Sequence, residues 1–143
     1  MTNSIDFKKI YWYAQRAKLA YESPQIIQQQ LPNVESVNTL DSINVQYFIE
    51  VLPDSQEQLV SVRGTANWQN AKEDAEFAKA RDQRLGIYVH KGFDNDAMTV
   101  YRDLLPALDK SKAVLLTGHS LGAAISSLLM LYLYHDGFTV RIC

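Results

Sequence analysis

The sequence has 143 residues, of which 47% are hydrophobic and 21% are charged, and its formal net charge is −2. These values allow one domain with a sizeable core, and the lack of any Lys or Arg cluster gives no reason to expect nucleic acid as a partner. The only cysteine, Cys143, excludes an internal disulfide and offers no pair of metal ligands.

The first half of the chain predicts two helices followed by a pair of strands. We expect the helices at residues 6–21 and 25–30, and the strands at residues 45–52 and 57–62. Between the two strands, Pro53 presets its own φ angle, while Asp54 and Ser55 can bond back to the main chain. The pair is therefore predicted to be an antiparallel hairpin.

The second half of the chain alternates helices with strands. The expected elements are a polar, exposed helix at 67–79, a short strand within 86–93 that leads through Gly92 into a helix at 94–108, a buried strand at 112–117, an apolar helix at 121–134 and the start of a further strand at 138–143. Such alternation favours an α/β fold whose later strands are parallel.

Residues 114–134 form an apolar stretch that is long enough to cross a bilayer, with no Asp, Glu, Lys or Arg and with His119 as its only histidine. Three small residues interrupt this stretch in its middle, and a strand that leads into a buried helix accounts for the same composition. We therefore expect no transmembrane segment. The first 13 residues mix Asp6 and two lysines with apolar residues and lack the apolar core of a secretory signal, so we expect a cytoplasmic location.

The most informative motif is Gly118-His119-Ser120-Leu121-Gly122, which joins the predicted strand 112–117 to the predicted helix 121–134. In this G-x-S-x-G pattern the glycines allow a tight strand-to-helix turn that exposes the serine hydroxyl. The following N–H, from Leu121, begins the helix and points the same way. The pattern predicts a nucleophile elbow at Ser120, and the alternative is a tight turn with a solvent-facing serine.

A second motif, Arg63-Gly64-Thr65, follows the predicted strand 57–62. Gly64 lets the backbone approach a bound group, and Thr65 offers both an N–H and an O–H there. Together with the N–H of Leu121, these donors would face an oxyanion formed at Ser120. Taken alone, the three residues predict only a turn.

Three blocks at residues 62–65, 89–93 and 117–123, in this order, resemble the class 3 (fungal-type) lipases of the α/β-hydrolase fold. The resemblance covers residues 57–140 and, more loosely, the first helix. It implies a three-layer sandwich with a mostly parallel sheet, incomplete at its C-terminal end, in one partial domain spanning 1–143. By this resemblance, Ser120 is the nucleophile, Thr65 and Leu121 form the oxyanion hole, and the segment around Trp68 lies where the family carries its lid.

The resemblance also implies an activity. The family hydrolyses carboxylic esters in lipid metabolism without a cofactor, so an ester or lipid is the expected substrate. Its triad continues with an aspartate and then a histidine, yet only His135 and Asp136 follow Ser120 as candidates. On one continuous helix, His135 would lie roughly 20 Å from the elbow, beyond the reach of a general base.

His90 could serve as the base only against the family's order, and its alternative role is that of a structural histidine whose hydrogen bonds are satisfied. We therefore expect a C-terminally truncated relative of the family. The rival hypothesis is a non-catalytic relative, or a fragment that needs a partner or a further segment. The strand expected at 138–143 would then form an exposed sheet edge, through which copies of the chain could associate.

Overall fold

The computed structural model describes residues 5–64 and 79–143. The described residues form four α-helices: α1 (Phe7–Leu19), α2 (Pro24–Gln30), α3 (Lys91–Leu104), which continues into a 3₁₀ turn (Leu105–Ala107), and α4 (Leu121–His135). Helix α1 begins where the Asp6 carboxylate accepts hydrogen bonds from the N–H groups of Lys8 and Lys9, both at 3.1 Å. Ser23 caps α2 in the same way, ahead of a proline at the first helical position.

The strands of the described segments form two sheets. They are β1 (Val34–Leu40), β2 (Val45–Leu52), β3 (Glu57–Arg63), β4 (Lys79–Arg81), β5 (Tyr88–His90), β6 (Ala113–His119) and β7 (Val140–Ile142). The main sheet has the order β1-β2-β3-β6-β7, in which β1, β2 and β3 are antiparallel and β3, β6 and β7 are parallel. Strands β4 and β5 pair antiparallel in a separate sheet.

Helices cover both faces of the main sheet, so the predicted three-layer α/β architecture is confirmed. Helices α3 and α4 lie on one face, over a large apolar core that includes Tyr47, Val60, Leu116 and Leu129. On the other face, α1 and α2 cover two smaller clusters. Within the described segments, no helix combines the length and the hydropathy that a membrane span requires.

Helix α1 is joined to the sheet by an ion pair as well as by apolar contacts. The Arg16 guanidinium donates two hydrogen bonds to the Glu50 carboxylate on β2, at 2.9 and 3.1 Å. The centre of the same guanidinium lies 3.5 Å from the centroid of the Trp12 ring. This bidentate geometry fixes α1 along the sheet and leaves the C-terminal end of the helix beside the end of β6.

The predictions for α1, α2, the β2–β3 hairpin, β6, α4 and β7 are confirmed within a few residues. The predicted start of a helix at residue 94 is wrong, because α3 begins at Lys91 and includes Gly92 in its first turn. The strand expected within 86–93 does not join the main sheet. Lys79 begins β4 rather than ending a helix, and the rest of the expected helix lies outside the described residues.

Candidate active site

Ser120 stands alone between the end of β6 and the start of α4, with a φ of 57° and a ψ of −125°. A non-glycine residue with positive φ is strained and persists only where the surrounding structure imposes it. Since Ser120 is exposed, this conformation presents its hydroxyl to solvent rather than to the core. The structure therefore has the sharp strand-to-helix turn that the G-x-S-x-G pattern predicts.

The two glycines of the motif are required by close backbone contacts. A Cβ atom on Gly118 would lie 2.6 Å from the carbonyl group of Gly122, and one on Gly122 would lie 2.2 Å from the carbonyl oxygen of Val62. Both distances are far shorter than any van der Waals contact. Only glycine at these two positions lets α4 start directly against β3 and β6.

The end of β3 packs against the elbow. Arg63 pairs with His119 in the parallel register of β3 and β6. A Cβ on Gly64 would lie 2.9 Å from the Cβ of Leu121 and 3.2 Å from its backbone nitrogen, so the chain passes the elbow closely there. Thr65, the next residue, lies outside the described residues, and its assignment to the oxyanion hole stays a prediction.

Leu121 is the first residue of α4, and its side chain is buried while its N–H belongs to the free amide end of the helix. The partial positive charge of a helix N-terminus favours an anion at this position. A negative oxygen that develops next to Ser120 would therefore meet a favourable field. The described geometry is compatible with the predicted oxyanion role of Leu121.

A groove of approximately 1050 Å³ opens beside Ser120, between α1 and the carboxyl end of β6. Its wall on the α1 side includes Ile10, Tyr13, Ala14 and Ala17, which are spaced to share one side of the helix. Burial first, and then the contact with Cys143, raise the pKa of Tyr13, so this phenol stays neutral over the ordinary pH range. The groove is thus a mainly apolar surface that ends at the serine, and its charged lining residues are Asp6, Lys9 and Lys18.

Tyr21 holds His119 at the mouth of this groove. The hydroxyl of Tyr21 lies 3.2 Å from Nδ1 and 3.4 Å from the carbonyl oxygen of His119, and the two rings meet edge to face. The sequence predicts Tyr21 as part of the first helix, without a role at the site. No signal in the sequence indicates this contact, because 98 residues separate its partners.

The other two histidines lie away from the elbow. His90 ends β5, and its ring stacks on Phe93 with 4.4 Å between the ring centroids. Its Nδ1 is buried and has no hydrogen-bond partner within residues 5–64 and 79–143, and the structural role of this histidine stays a prediction. His135 ends α4, about 20 Å along the helix axis from Leu121.

None of the chain's three histidines, all of which are described, is therefore hydrogen bonded to Ser120. The described segments bring together the serine, the helix N-terminus and the groove. They do not bring a general base to the serine.

A strained serine between a parallel strand and an apolar helix, on a sheet covered by helices on both faces, defines an α/β-hydrolase. The family model for class 3 lipases matches residues 59–142, which is more than half of the chain. The chain belongs to the class 3 lipase family. None of the curated protein sequences compared with it gives a match.

Solved structures of fungal lipases share the fold. The lipase of Rhizopus microsporus var. chinensis superposes with a TM-score of 0.79 at 23% identity, over 94% of this chain and 55% of its own. Lipase II of Rhizopus niveus superposes with a TM-score of 0.78 at 22% identity, over 94% of this chain and 60% of the lipase. For the triacylglyceride lipase of Rhizomucor miehei the TM-score is 0.77 at 18% identity, over 96% of this chain and 62% of the lipase. The chain thus spans little more than half the length of these lipases.

Proposed function

We propose that the chain carries the nucleophile of a carboxylic ester hydrolase, and that Ser120 is that nucleophile. The observation that carries the proposal is the positive φ of an exposed serine at the N-terminus of a helix. The Ser120 oxygen would attack the ester carbonyl, and the carbonyl π electrons would move to the oxygen. The N–H of Leu121 and the donors of Thr65 would stabilise this oxyanion until the alcohol leaves.

The groove beside Ser120 supports a lipid ester as the substrate. An acyl group bonded to Ser120 needs an apolar path away from the serine, and the α1 wall of the groove supplies one. The charged residues that also line the groove, Asp6, Lys9 and Lys18, are exposed, whereas Tyr13 and Ala17 are buried. An ester with an aliphatic acyl chain fits this surface better than a charged or sugar-like substrate.

Proton transfer needs a base that the described residues do not place at Ser120. We propose that polypeptide outside these 143 residues, either a further segment or a partner, supplies a histidine and the aspartate that orients it. The absence of a bonded histidine also favours a second candidate, a non-catalytic relative that retains the elbow. The two candidates differ in whether Ser120 can be acylated when a base is provided.

The test is covalent capture of Ser120 by an aryl organophosphonate, with and without added imidazole, followed by peptide mass spectrometry. We expect slow capture without imidazole and an imidazole-dependent adduct on the Ser120 peptide. Ser120→Ala is the negative control. Ser111→Ala, which removes an exposed hydroxyl bonded to Asp109 instead, should be captured like the wild type. Equal, imidazole-independent labelling of Ser120 and Ser111 would contradict the proposal.

The edge of the main sheet supports a proposal on self-association. Strand β7 pairs with β6 on one side, and Ile142 at this edge is exposed. Unpaired strand edges bind other strands. We expect the mass of the chain in sedimentation to rise with concentration, and a monomer at every concentration would contradict this expectation.

A further inference from the structure

A second cluster of ionisable groups lies at the far end of α4, away from Ser120. Tyr132 is fully buried, and its hydroxyl is bonded to Asp94 of α3 and lies 3.3 Å from a carboxylate oxygen of Asp82. Asp82 is itself buried, with 6% of its surface exposed. One phenol therefore contacts two carboxyl groups that come from two different segments of the chain.

The single hydroxyl proton of Tyr132 cannot serve both of its contacts if both carboxyl groups are ionised. A phenol has a single O–H, so Tyr132 can donate to either Asp82 or Asp94 but not to both. If both carboxyl groups were ionised, one contact would join two oxygens without a proton between them, at a buried site. A proton on Asp94 would let its carboxyl group donate to the Tyr132 oxygen while Tyr132 donates to Asp82, so that every contact would hold a proton.

We propose that Asp82 and Asp94 share one proton across Tyr132 and thereby form a pH-sensitive clasp that holds residues 82–87 against α3 and α4. The clasp is distinct from the ester hydrolase site and does not depend on that proposed function.

Burial and charge act in the direction that the clasp requires. Burial first, and then the neighbouring charge of Asp82, raise the pKa of Asp94, against the hydrogen bond from Tyr132, which lowers it. Burial and the Asp94 carboxylate raise the pKa of Tyr132. The phenol therefore keeps its proton, and a carboxyl group is the one that titrates.

The position of the Asp82 side chain affects the loop, because other polar atoms of Asp82 are hydrogen bonded to residues 85–87. Its second carboxylate oxygen accepts the N–H of Leu85 at 2.5 Å, and its carbonyl oxygen accepts that of Gly86 at 2.9 Å. Its own N–H donates to the carbonyl oxygen of Ile87 at 2.8 Å. A shift of the Asp82 side chain would therefore disturb the whole turn.

Within residues 5–64 and 79–143, no ion pair joins a lysine or an arginine to Asp82 or Asp94. Arg84 of the same loop is paired with Asp136 at the end of α4 and donates to the Tyr101 hydroxyl of α3 at 3.1 Å. The hydroxyl of Tyr101 is bonded to the same Asp136 carboxylate. The guanidinium of Arg81, on β4, lies towards Gly86. Arg84 already has a carboxylate partner, so a proton on one of the two carboxyl groups reduces the charge of the pair.

The raised pKa of Asp94 makes the loop less stable as the pH rises. A carboxyl group whose pKa is higher in the folded chain contributes stability that is complete below the usual aspartate value of 3.8. That contribution is lost as the pH rises through the higher value in the folded state. The loop should therefore open more often as the pH increases.

The experiment combines two measurements on the full 143-residue chain. Carboxyl ¹³C shifts of the aspartates, followed by NMR from pH 3 to 9, should show Asp94 losing its proton in a step above the ordinary aspartate range, and the Asp82 resonance should shift in that same upper step. Hydrogen exchange of the Leu85 and Gly86 amides, corrected for intrinsic rates, should accelerate through that same upper step.

Asp94→Asn supplies an amide that can donate to the Tyr132 hydroxyl at any pH while that hydroxyl donates to Asp82, so the upper step and the pH dependence of loop exchange should both disappear. Asp96→Asn is the matched control, because burial alone raises the pKa of Asp96 on the same helix. It should leave loop exchange unchanged. Titration of Asp94 at the ordinary aspartate value in the wild type, with no accompanying shift of the Asp82 resonance, would overturn the proposal even if a variant failed to fold.

Discussion

The two faces of the main sheet differ in how completely they are covered. On the α3–α4 face, buried apolar side chains fill the space between sheet and helices. On the α1 face, a groove remains open along the helix, and Phe7, Ile10 and Tyr11 are exposed. Ser120 lies where the two faces meet. Packing on the α3–α4 face fixes its backbone, and the groove lies beside its side chain. Rigidity and access at the candidate site thus come from opposite sides of one sheet.

The largest expected effect comes from opening a cavity in the closed face. Leu129 on α4 is fully buried there. Leu129→Ala should lower the free energy of unfolding by about 2–5 kcal/mol, because the lost transfer energy and the cavity add. Urea denaturation followed by circular dichroism measures this loss. A loss below about 1 kcal/mol would mean that α4 is not tightly packed on the sheet.

A somewhat smaller effect is expected where the closed face meets the elbow. Gly122→Ala places a Cβ 2.2 Å from the Val62 carbonyl oxygen, and relieving this overlap should cost about 1–3 kcal/mol of stability. Gly92→Ala is a matched control at the second residue of α3. A Cβ there first meets the His90 ring, at 3.3 Å, so the change should stay within about 1 kcal/mol. Equal effects of the two variants would contradict the packing described for the elbow.

The sequence predicted the elements whose signals are local. Asp6 caps α1, the turn at residues 53–55 sets the hairpin, and the glycines mark the elbow. Strand β1 was not predicted, because polar residues such as Glu35 and Asn38 interrupt its apolar pattern and it is only partly buried. Strand β4, with three residues, is too short to show a period, whereas β5 lies within the strand predicted at 86–93.

Contacts between distant segments were not predictable from the pattern. The Tyr21–His119 pair joins residues 98 positions apart, and Tyr132 meets Asp82 across 50 positions. Each of these residues also fits the local pattern of its own helix or loop, so the sequence pattern gives no sign of the contact. For the candidate site, the sequence supplied the motif, whereas the groove and the ring that holds His119 required the fold.

The smallest effect is expected on the open face. Ile10 on α1 is 54% exposed and lines the groove. Ile10→Ala should change the free energy of unfolding by no more than about 0.5 kcal/mol, in contrast to Leu129→Ala. The same urea titration compares the two variants. A loss comparable to that of Leu129→Ala would mean that the α1 face is closed in solution, for example by a second copy of the chain.

The most direct test of the account compares ester turnover by the 143-residue chain with turnover by its Ser120→Ala variant. The central claim is that the chain holds the nucleophile in place but brings no base to it. On a short-chain aryl ester at neutral pH, the two proteins should therefore hydrolyse at similar rates, as when only binding and oxyanion stabilisation remain. A loss of about a hundredfold or more on Ser120→Ala would contradict the claim and would point to His90, or to a second copy of the chain, as the base.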